Sequence, residues 1–391
     1  MNRPIAYLTS DPGIPPDGHK GASVHFRALA QAFACIGQDL DVFVARDGGL
    51  GGFLPHRATV VPTPRAQGLA AEVLQIGHAG AMLRALQQNG PHAAVYERLS
   101  LFGTAGLAHA RSSGVPYAVE VDAPLWREAA TYRGLAFRGT ARGICVDVMR
   151  QADLVFAVSQ ALADELIAEG VPAAHVQVLG NGADLARFQG ARPAAKPAAL
   201  RGRPTLLFVG SLKPWHGIDF LLRAFAGLRA QRPCGLWIVG DGPGRAEVEV
   251  AQRAFPGDIV LEGAVDHERV PALLQAADLV VAPYTGAAPA YFSPLKVVEA
   301  LAAGRPLLAS RVPCVLEALA GHEPMGLFAP DDVADFVHVA ERMLAAGPAA
   351  ATAGIDRARV ARLDWSTHAR HLRDLLFGVT AAAPRTEVCS G

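Results

Sequence analysis

The segment 291–306 reads Y-F-S-P-L-K-V-V-E-A-L-A-A-G-R-P. Ser293 has the side-chain oxygen of an N-cap, and Pro294 suits a first helical position. Gly304 followed by Pro306 is a stop signal. The spacing predicts a short helix whose amino end sits at a loop tip. Lys296 falls in its first turn, where a cation opposes the helix dipole at a cost of about 0.3–1 kcal/mol. A bound anion reverses that sign, because the N–H groups and the lysine then act together. Glu299, one turn on, can accept hydrogen bonds from a ribose diol. Taken alone, the pattern also suits a solvated lysine and glutamate on an ordinary helix.

Three further loops carry related chemistry. Gly210-Ser211-Leu212-Lys213-Pro214-Trp215-His216-Gly217 lies between a strand-like and a helix-like run. Its glycines permit close backbone approach, and Lys213 and His216 are groups for a phosphate. Trp215 serves equally as a packed loop anchor. Gly240-Asp241-Gly242-Pro243 is a tight strand-to-helix turn, more architectural than catalytic. The Gly- and Pro-rich stretch 13–21 leads into Gly21-Ala22, whose backbone suits a diphosphate. No segment fits GxxxxGK[ST], which excludes a P-loop NTPase, and GxGxxG is absent after the first strand, which disfavours a dehydrogenase.

Glu120 and Asp122 stand two apart near a strand's end. They are read as substrate-binding carboxylates, against the plainer reading of a strand-to-loop pair that caps backbone. Residues two apart lie only ~7 Å from one another on one side of a strand and cannot easily flank a glycosidic bond, so a glycoside hydrolase is set aside. Residues 124–150 hold Arg127, Arg133, Arg138, Arg142 and Arg150 among aromatic side chains. Weak peripheral contact with an anionic membrane is open there, though a solvated helix face explains the charges as well. His368 and His371 have too few neighbouring ligands for a metal and are read as surface residues.

The elements that must position these groups follow from periodicity. Apolar runs at 5–9, 40–45, 93–97, 117–121, 154–158, 176–179, 205–209, 236–239, 259–261, 279–282 and 306–309 alternate with amphipathic helical stretches. Phe26, Leu29, Ala30 and Phe33 repeat at i, i+3, i+4, i+7, as do Ile218, Leu221, Leu222 and Phe225. Such alternation means α/β architecture with parallel sheets covered on both faces. The 391 residues, 51% hydrophobic, suffice for two cores. A polar, Pro-punctuated stretch at 189–203 is the best linker. It separates an N-terminal domain, 1–188, from a C-terminal one, 204–360, with a last helix at 361–379 and a frayed tail at 380–391. Two open sheets of this kind, facing one another, form a cleft with one ligand on each side.

Lys and Arg together number 36, as do Asp and Glu. That zero net charge disfavours a nucleic-acid partner. The five cysteines lack CxxC spacing and read as reduced thiols of a cytoplasmic protein. The amino terminus resembles a buried strand rather than a signal peptide, and no apolar run approaches ~20 residues.

Together the motifs resemble the retaining glycosyltransferases with two Rossmann-like domains, known as family 4 or glycosyltransferase group 1. The specific parts are Glu299-Ala300-Leu301-Ala302-Ala303-Gly304-Arg305-Pro306, Asn181-Gly182-Ala183-Asp184 with Phe188, and Gly240-Asp241-Gly242-Pro243. Gly263-Ala264-Val265 and the stretch from Val270 through Ala277-Asp278 to Pro283-Tyr284 continue the match. The S-L-K-P-W-H-G and F-S-P-L-K runs are similar to one branch of that family. The resemblance implies a GT-B fold, with the final helix crossing back to the N-terminal domain. It implies transfer of a sugar from a nucleotide-diphosphate sugar, UDP- or GDP-linked, to a hydroxyl acceptor such as a glycan, a lipid-linked sugar or a small metabolite. No cofactor or metal is required, and a site at the inner face of the membrane is compatible with it.

Carried over by position, Glu299 is similar to the ribose-binding carboxylate. Gly240, Ala264 and Val265 fall on the nucleoside side. Gly21, Ala22, Ser211, Lys213, His216, Ser293, Leu295 and Lys296 fall around the diphosphate. Three positions depart from the commonest pattern. Ser211 and His216 stand where an Arg and a Lys are usual, so Lys213 is left as the main electrophilic group. Tyr291, beside Phe292, replaces the usual donor-sugar glutamate. Asp122 replaces a frequent histidine. Front-face attack lets the leaving phosphate take the acceptor's proton, so no strong protein base is needed. Two alternatives on the same architecture are a sugar-nucleotide epimerase, for which no acid/base pair is evident, and a non-catalytic sugar-nucleotide-binding protein.

Overall fold

A computed structural model describes residues 3–48, 56–319, 321–322 and 326–382. The contacts divide the chain into two units. The first comprises residues 1–18, 22–179 and 365–391, and the second 19–21 and 180–364.

The first unit is built on β1 (Ile5–Thr9), β2 (Leu40–Val44), β3 (Arg57–Val60), β4 (Ala94–Arg98), β5 (Tyr117–Val121), β6 (Leu154–Ala157) and β7 (Val176–Val178). All neighbours are parallel, in the order β3-β2-β1-β4-β5-β6-β7. β1, β4 and β5 are buried along their whole length, as continuous apolar runs covered on both faces must be. The helix Gly21–Cys35 lays Phe26, Leu29, Ala30 and Phe33 on one face of the sheet. The final helix, Trp365–Ala382, places Trp365, Ala369, Leu372 and Leu376 in that same core. Their i, i+4, i+7, i+11 spacing is one helical face. The last helix therefore returns to the N-terminal unit.

The second unit repeats the plan with β8 (Thr205–Val209), β9 (Gly235–Val239), β10 (Ile259–Gly263), β11 (Leu279–Ala282), β12 (Leu307–Ser310) and β13 (Gly326–Phe328). Their order is β10-β9-β8-β11-β12-β13, again parallel throughout. In both sheets the first strand of the unit pairs with the second and the fourth, so chain direction across the sheet reverses there. Ligands of open α/β sheets bind at that switch point, beyond the strands' carboxyl ends. It lies between β1 and β4 in one unit and between β8 and β11 in the other.

Strand bounds agree with the apolar runs to within one or two residues. The periodicity missed β3, a half-exposed edge strand reading R-A-T-V, and β13, three residues long. Residues 189–203 do not behave as a spacer. The first unit ends at Leu179, and the chain from Gly180 already packs with the second. Leu200 is fully buried in the second unit's core, Lys196 Nζ pairs with Asp278 at 2.5 Å, and Ala194 N–H donates to Ala272 O. The prolines there fix an extended, anchored path. Cys145, Cys234 and Cys314 are buried free thiols and Cys35 is exposed, while Cys389 and the tail from 383 lie outside the described residues. His368 is buried against the Trp365 ring rather than lying on the surface. Among the described residues no helix is long and apolar enough to cross a membrane.

Candidate active site

At the switch point of the second sheet, three turns are tied to one another. Gly210 N–H donates to Val239 O, Gly240 N–H to Gly263 O, and Leu212 N–H to Asp241 O. Gly240 has φ +147°, and a Cβ there would lie 1.9 Å from Gly210 O. Only glycine permits this approach. Gly240 thus holds the loop 210–217 in place.

On that loop Lys213 is exposed, its Nζ 4.8 Å above the Trp215 ring. His216 Nδ1 lies 2.6 Å from Ser211 O and 3.3 Å from Ser211 Oγ. A carbonyl only accepts, so Nδ1 carries the proton and the neutral ring presents Nε2 as an acceptor. Burial, then the charges of Lys296 and Lys213, push the imidazole down to about 3. His216 is therefore not the cation it resembles in sequence: its donor is used internally and its charged form is disfavoured. Trp215, Phe292, Tyr291, His216 and Tyr284 form a chain of ring contacts, with centroids 5.1–6.2 Å apart. Tyr291 is buried within it.

The helix after these rings is Leu295–Ala302. Ser293 is not its N-cap. Pro294 holds that position without a side-chain bond, and Ser293 Oγ instead accepts from Asn181 N–H at 2.8 Å while Asn181 Nδ2 donates to Ser293 O at 2.6 Å. Two motifs 112 residues apart in sequence are joined there. Lys296 is 8% exposed. Its Nζ sits 4.1 Å from the Phe208 ring centroid and 5.1 Å from that of Tyr284. Among the described residues it has no hydrogen-bond partner. Burial pulls this ammonium down to about 7, against an upward pull from Glu299. Glu299, 5% exposed, pairs through Oε1 with His267 Nε2 at 2.5 Å. Ala264 is exposed just past β10, and Val265 is half-buried against the core. Lys213, Ser211, His216, Tyr291, Phe292, Ser293, Leu295, Lys296 and Glu299 thus gather on neighbouring turns and one helix start.

The first unit's switch point is also polar but differently satisfied. Arg98 ends β4 in register with Glu120 on β5. Its NH1 donates to Glu120 Oε1 at 2.8 Å and its NH2 reaches Asp122 Oδ2 at 2.7 Å. Tyr96 O–H donates to Glu120 Oε2 at 2.5 Å, and His25 Nε2 stands 3.0 Å from Oε1. Glu120 is 3% exposed with both oxygens engaged, so it holds Arg98 and His25 in place. Burial opposes its charge, but His25 and Arg98 prevail and hold the carboxyl well below the usual range. Burial lowers His25, yet Glu120 outweighs it and the imidazole is raised. Asp122, a quarter exposed, is the carboxylate that reaches solvent, and burial with the Glu120 charge raises it against the pull of Arg98. His25, Glu120 and Asp122 lie close enough to share a cation. The Arg98 guanidinium already bridges the two carboxylates. Gly21 is exposed and Ala22 half-buried at the start of the helix carrying His25, whose ring meets the edge of Trp365 at 4.7 Å.

Sequence reading missed Arg98, Tyr96, His25 and His267. A charged Glu-Arg pair closing an apolar strand was the available signal for Arg98. No local signal joins His267 to Glu299, 32 residues away. Of the arginines between 124 and 150, Arg127 pairs with Glu165 at 2.7 Å, Arg142 with Glu169, Arg150 donates to Glu169 O and Gly170 O, and Arg138 to Leu135 O. Four of the five are engaged locally, as on an ordinary helix face.

Comparison with known proteins bears on what this arrangement does. Residues 19–187 match the Glycosyltransferase Family 4 model and residues 203–346 the Glycosyl transferases group 1 model. A GDP-mannose-dependent alpha-mannosyltransferase of Mycobacterium tuberculosis is 32% identical over 278 residues, covering 67% of this chain and 68% of that protein. D-inositol 3-phosphate glycosyltransferase 2 of Catenulispora acidiphila is 29% identical over 91% of this chain and 89% of its own length. Among solved structures, sucrose-phosphate synthase from Thermosynechococcus elongatus aligns with a TM-score of 0.75 at 23% identity, over 98% of this chain and 100% of that one. Two doubly wound sheets, a returning final helix and both family matches lead to one conclusion: the chain belongs to the family 4, group 1 glycosyltransferases and has their GT-B fold.

Proposed function

We propose that the protein transfers a sugar from a nucleotide-diphosphate sugar to a hydroxyl acceptor, with retention at the anomeric carbon. The observation that carries this reading is the helix Leu295–Ala302, which holds a buried lysine and a buried carboxylate one turn apart at the second sheet's switch point. Glu299, oriented by His267, is suited to a ribose diol, and the helix start and Lys296 to the diphosphate. Lys213, on the mobile-length side chain above Trp215, supplies further positive potential as charge grows on the leaving phosphate. The leaving phosphate accepts the acceptor's proton. Asp122 is the group of the first unit suited to a sugar hydroxyl, held in place by Arg98.

The donor is a UDP- or GDP-sugar. One relative is named for GDP-mannose, and a neighbouring fold has been solved with UDP-glucose. A thermal-shift screen against UDP-, GDP-, ADP- and dTDP-sugars tests the donor, because a ligand that binds only the folded chain raises Tm. One base class should stabilise the protein, and nucleoside diphosphate should be released once an acceptor is added. No shift with any donor contradicts the reading.

A further inference from the structure

The buried ammonium of Lys296 is a puzzle for stability. A charged group removed from water needs a partner, and among the described residues this one has two aromatic faces and no hydrogen-bond acceptor. The Gly210 backbone packs close against it: Gly210 has φ +141°, and a Cβ there would lie 3.3 Å from Lys296 Nζ. The groups facing it leave it uncompensated. From the loop after β8, His216 is neutral and Lys213 is a like charge. From the segment after β11, Tyr284 is held neutral by burial and by the neighbouring Cys314 and Glu299. On its own helix Glu299 is spent on His267.

We propose that Lys296 gives up its charge above neutral pH while no anion faces it, and there takes up one proton from solvent as the donor's diphosphate binds, so that donor binding is proton-coupled. This rests on the nucleotide-sugar reading above and adds to it a regulation of the same site. The diphosphate supplies the counter-anion that the fold withholds. The proton passes from solvent to Nζ, no covalent bond changes, and the ammonium so formed then faces the leaving phosphate. Donor affinity therefore falls as pH rises above neutrality. The ligand's own phosphate is fully ionised there, and His216 lies too low to contribute.

The test uses the full chain and whichever of ADP, GDP, UDP or dTDP raises its Tm most. Titration calorimetry at about pH 8, in two buffers of different ionisation heat, should report uptake approaching one proton per site, falling toward zero at about pH 6. Kd should weaken by close to tenfold between about pH 7.5 and 8.5. Lys296→Met should abolish the uptake and weaken binding at least tenfold. Without ligand it should melt higher than the parent near neutral pH, an advantage that shrinks as pH rises toward 9. That last readout also shows that the variant folds, and a lysine with a merely structural role would move it in the opposite direction. Binding without proton uptake at pH 8, or uptake unchanged in Lys296→Met, overturns the proposal while leaving the nucleotide reading intact. Failure of all four nucleotides to bind sinks the nucleotide reading itself, and the proposal with it.

Discussion

The two units place opposite electrostatics at equivalent points of the same sheet topology. Where β1 gives way to β4, a cation is saturated: Arg98 bridges Glu120 and Asp122, and His25 and Tyr96 complete the shell. Where β8 gives way to β11, the Lys296 amine lies among aromatic rings with no hydrogen-bond partner among the described residues. The first arrangement is rigid and self-sufficient without a ligand. The second is short of an anion. A doubly wound sheet thus fixes where a site lies, while the side chains decide whether it supports the fold or waits for a substrate.

Breaking the saturated side should cost the most. Arg98→Met removes the cation shared by Asp122 and the buried Glu120, leaving Glu120 with His25 and Tyr96 alone, and should destabilise the first unit by about 3–5 kcal/mol. Urea unfolding read from first-unit probes measures it. The opposite response of Lys296→Met, a gain in ligand-free Tm, is the other half of the comparison. Lys213→Ala removes an exposed cation that supports no core. Its Tm should stay within a degree or two of the parent while turnover falls about 100-fold. Near-normal turnover would remove Lys213 from the reaction. Glu299→Gln keeps the shape but weakens the ribose contact and the His267 pair, and nucleotide affinity should drop about tenfold.

The smallest expected effect concerns pH. Glu97 is fully buried on β4, with Tyr117 O–H donating to Oε2 at 2.8 Å. Burial outweighs that bond and the Gly106 amide and raises the carboxyl to about 7. A carboxyl whose folded value lies above its unfolded one stabilises most at low pH, and that contribution is lost as pH climbs through about 7. Relative to Glu97→Gln, the parent should therefore lose Tm between about pH 5 and 8. Lys296 acts in the reverse sense, because its folded value lies below the unfolded one and stability rises above about 7. The two units should thus answer alkali with opposite signs.

Most of this architecture was legible in the chain. Parallel strands are largely apolar runs, so eleven strands declared themselves, edge strands β7 and β10 among them, whereas β3, which reads R-A-T-V, and the three-residue β13 carry too little pattern. The loops at the second switch point were legible because glycines and a helix start leave local marks. Three readings fell short for a common reason, which is that packing is not local. Ser293 looked like a cap but is claimed by Asn181. Residues 189–203 looked like a spacer but are pinned through Leu200 and Lys196. Glu120 looked like a substrate contact but is consumed by a residue on the adjacent strand, Arg98, and by His25 from a helix ninety-five positions earlier. Even the burial of Lys296 was invisible, since it depends on Phe208 and Tyr284 from two other strands' ends.

Donor binding as proposed places the diphosphate at the second unit's switch point. A crystal structure with the most stabilising nucleoside diphosphate tests it most directly. A phosphate oxygen should lie within hydrogen-bond distance of Lys296 Nζ, and the ribose hydroxyls on the Glu299 carboxylate. A nucleotide bound elsewhere, with Lys296 still enclosed by its two rings and without an anion, would contradict it.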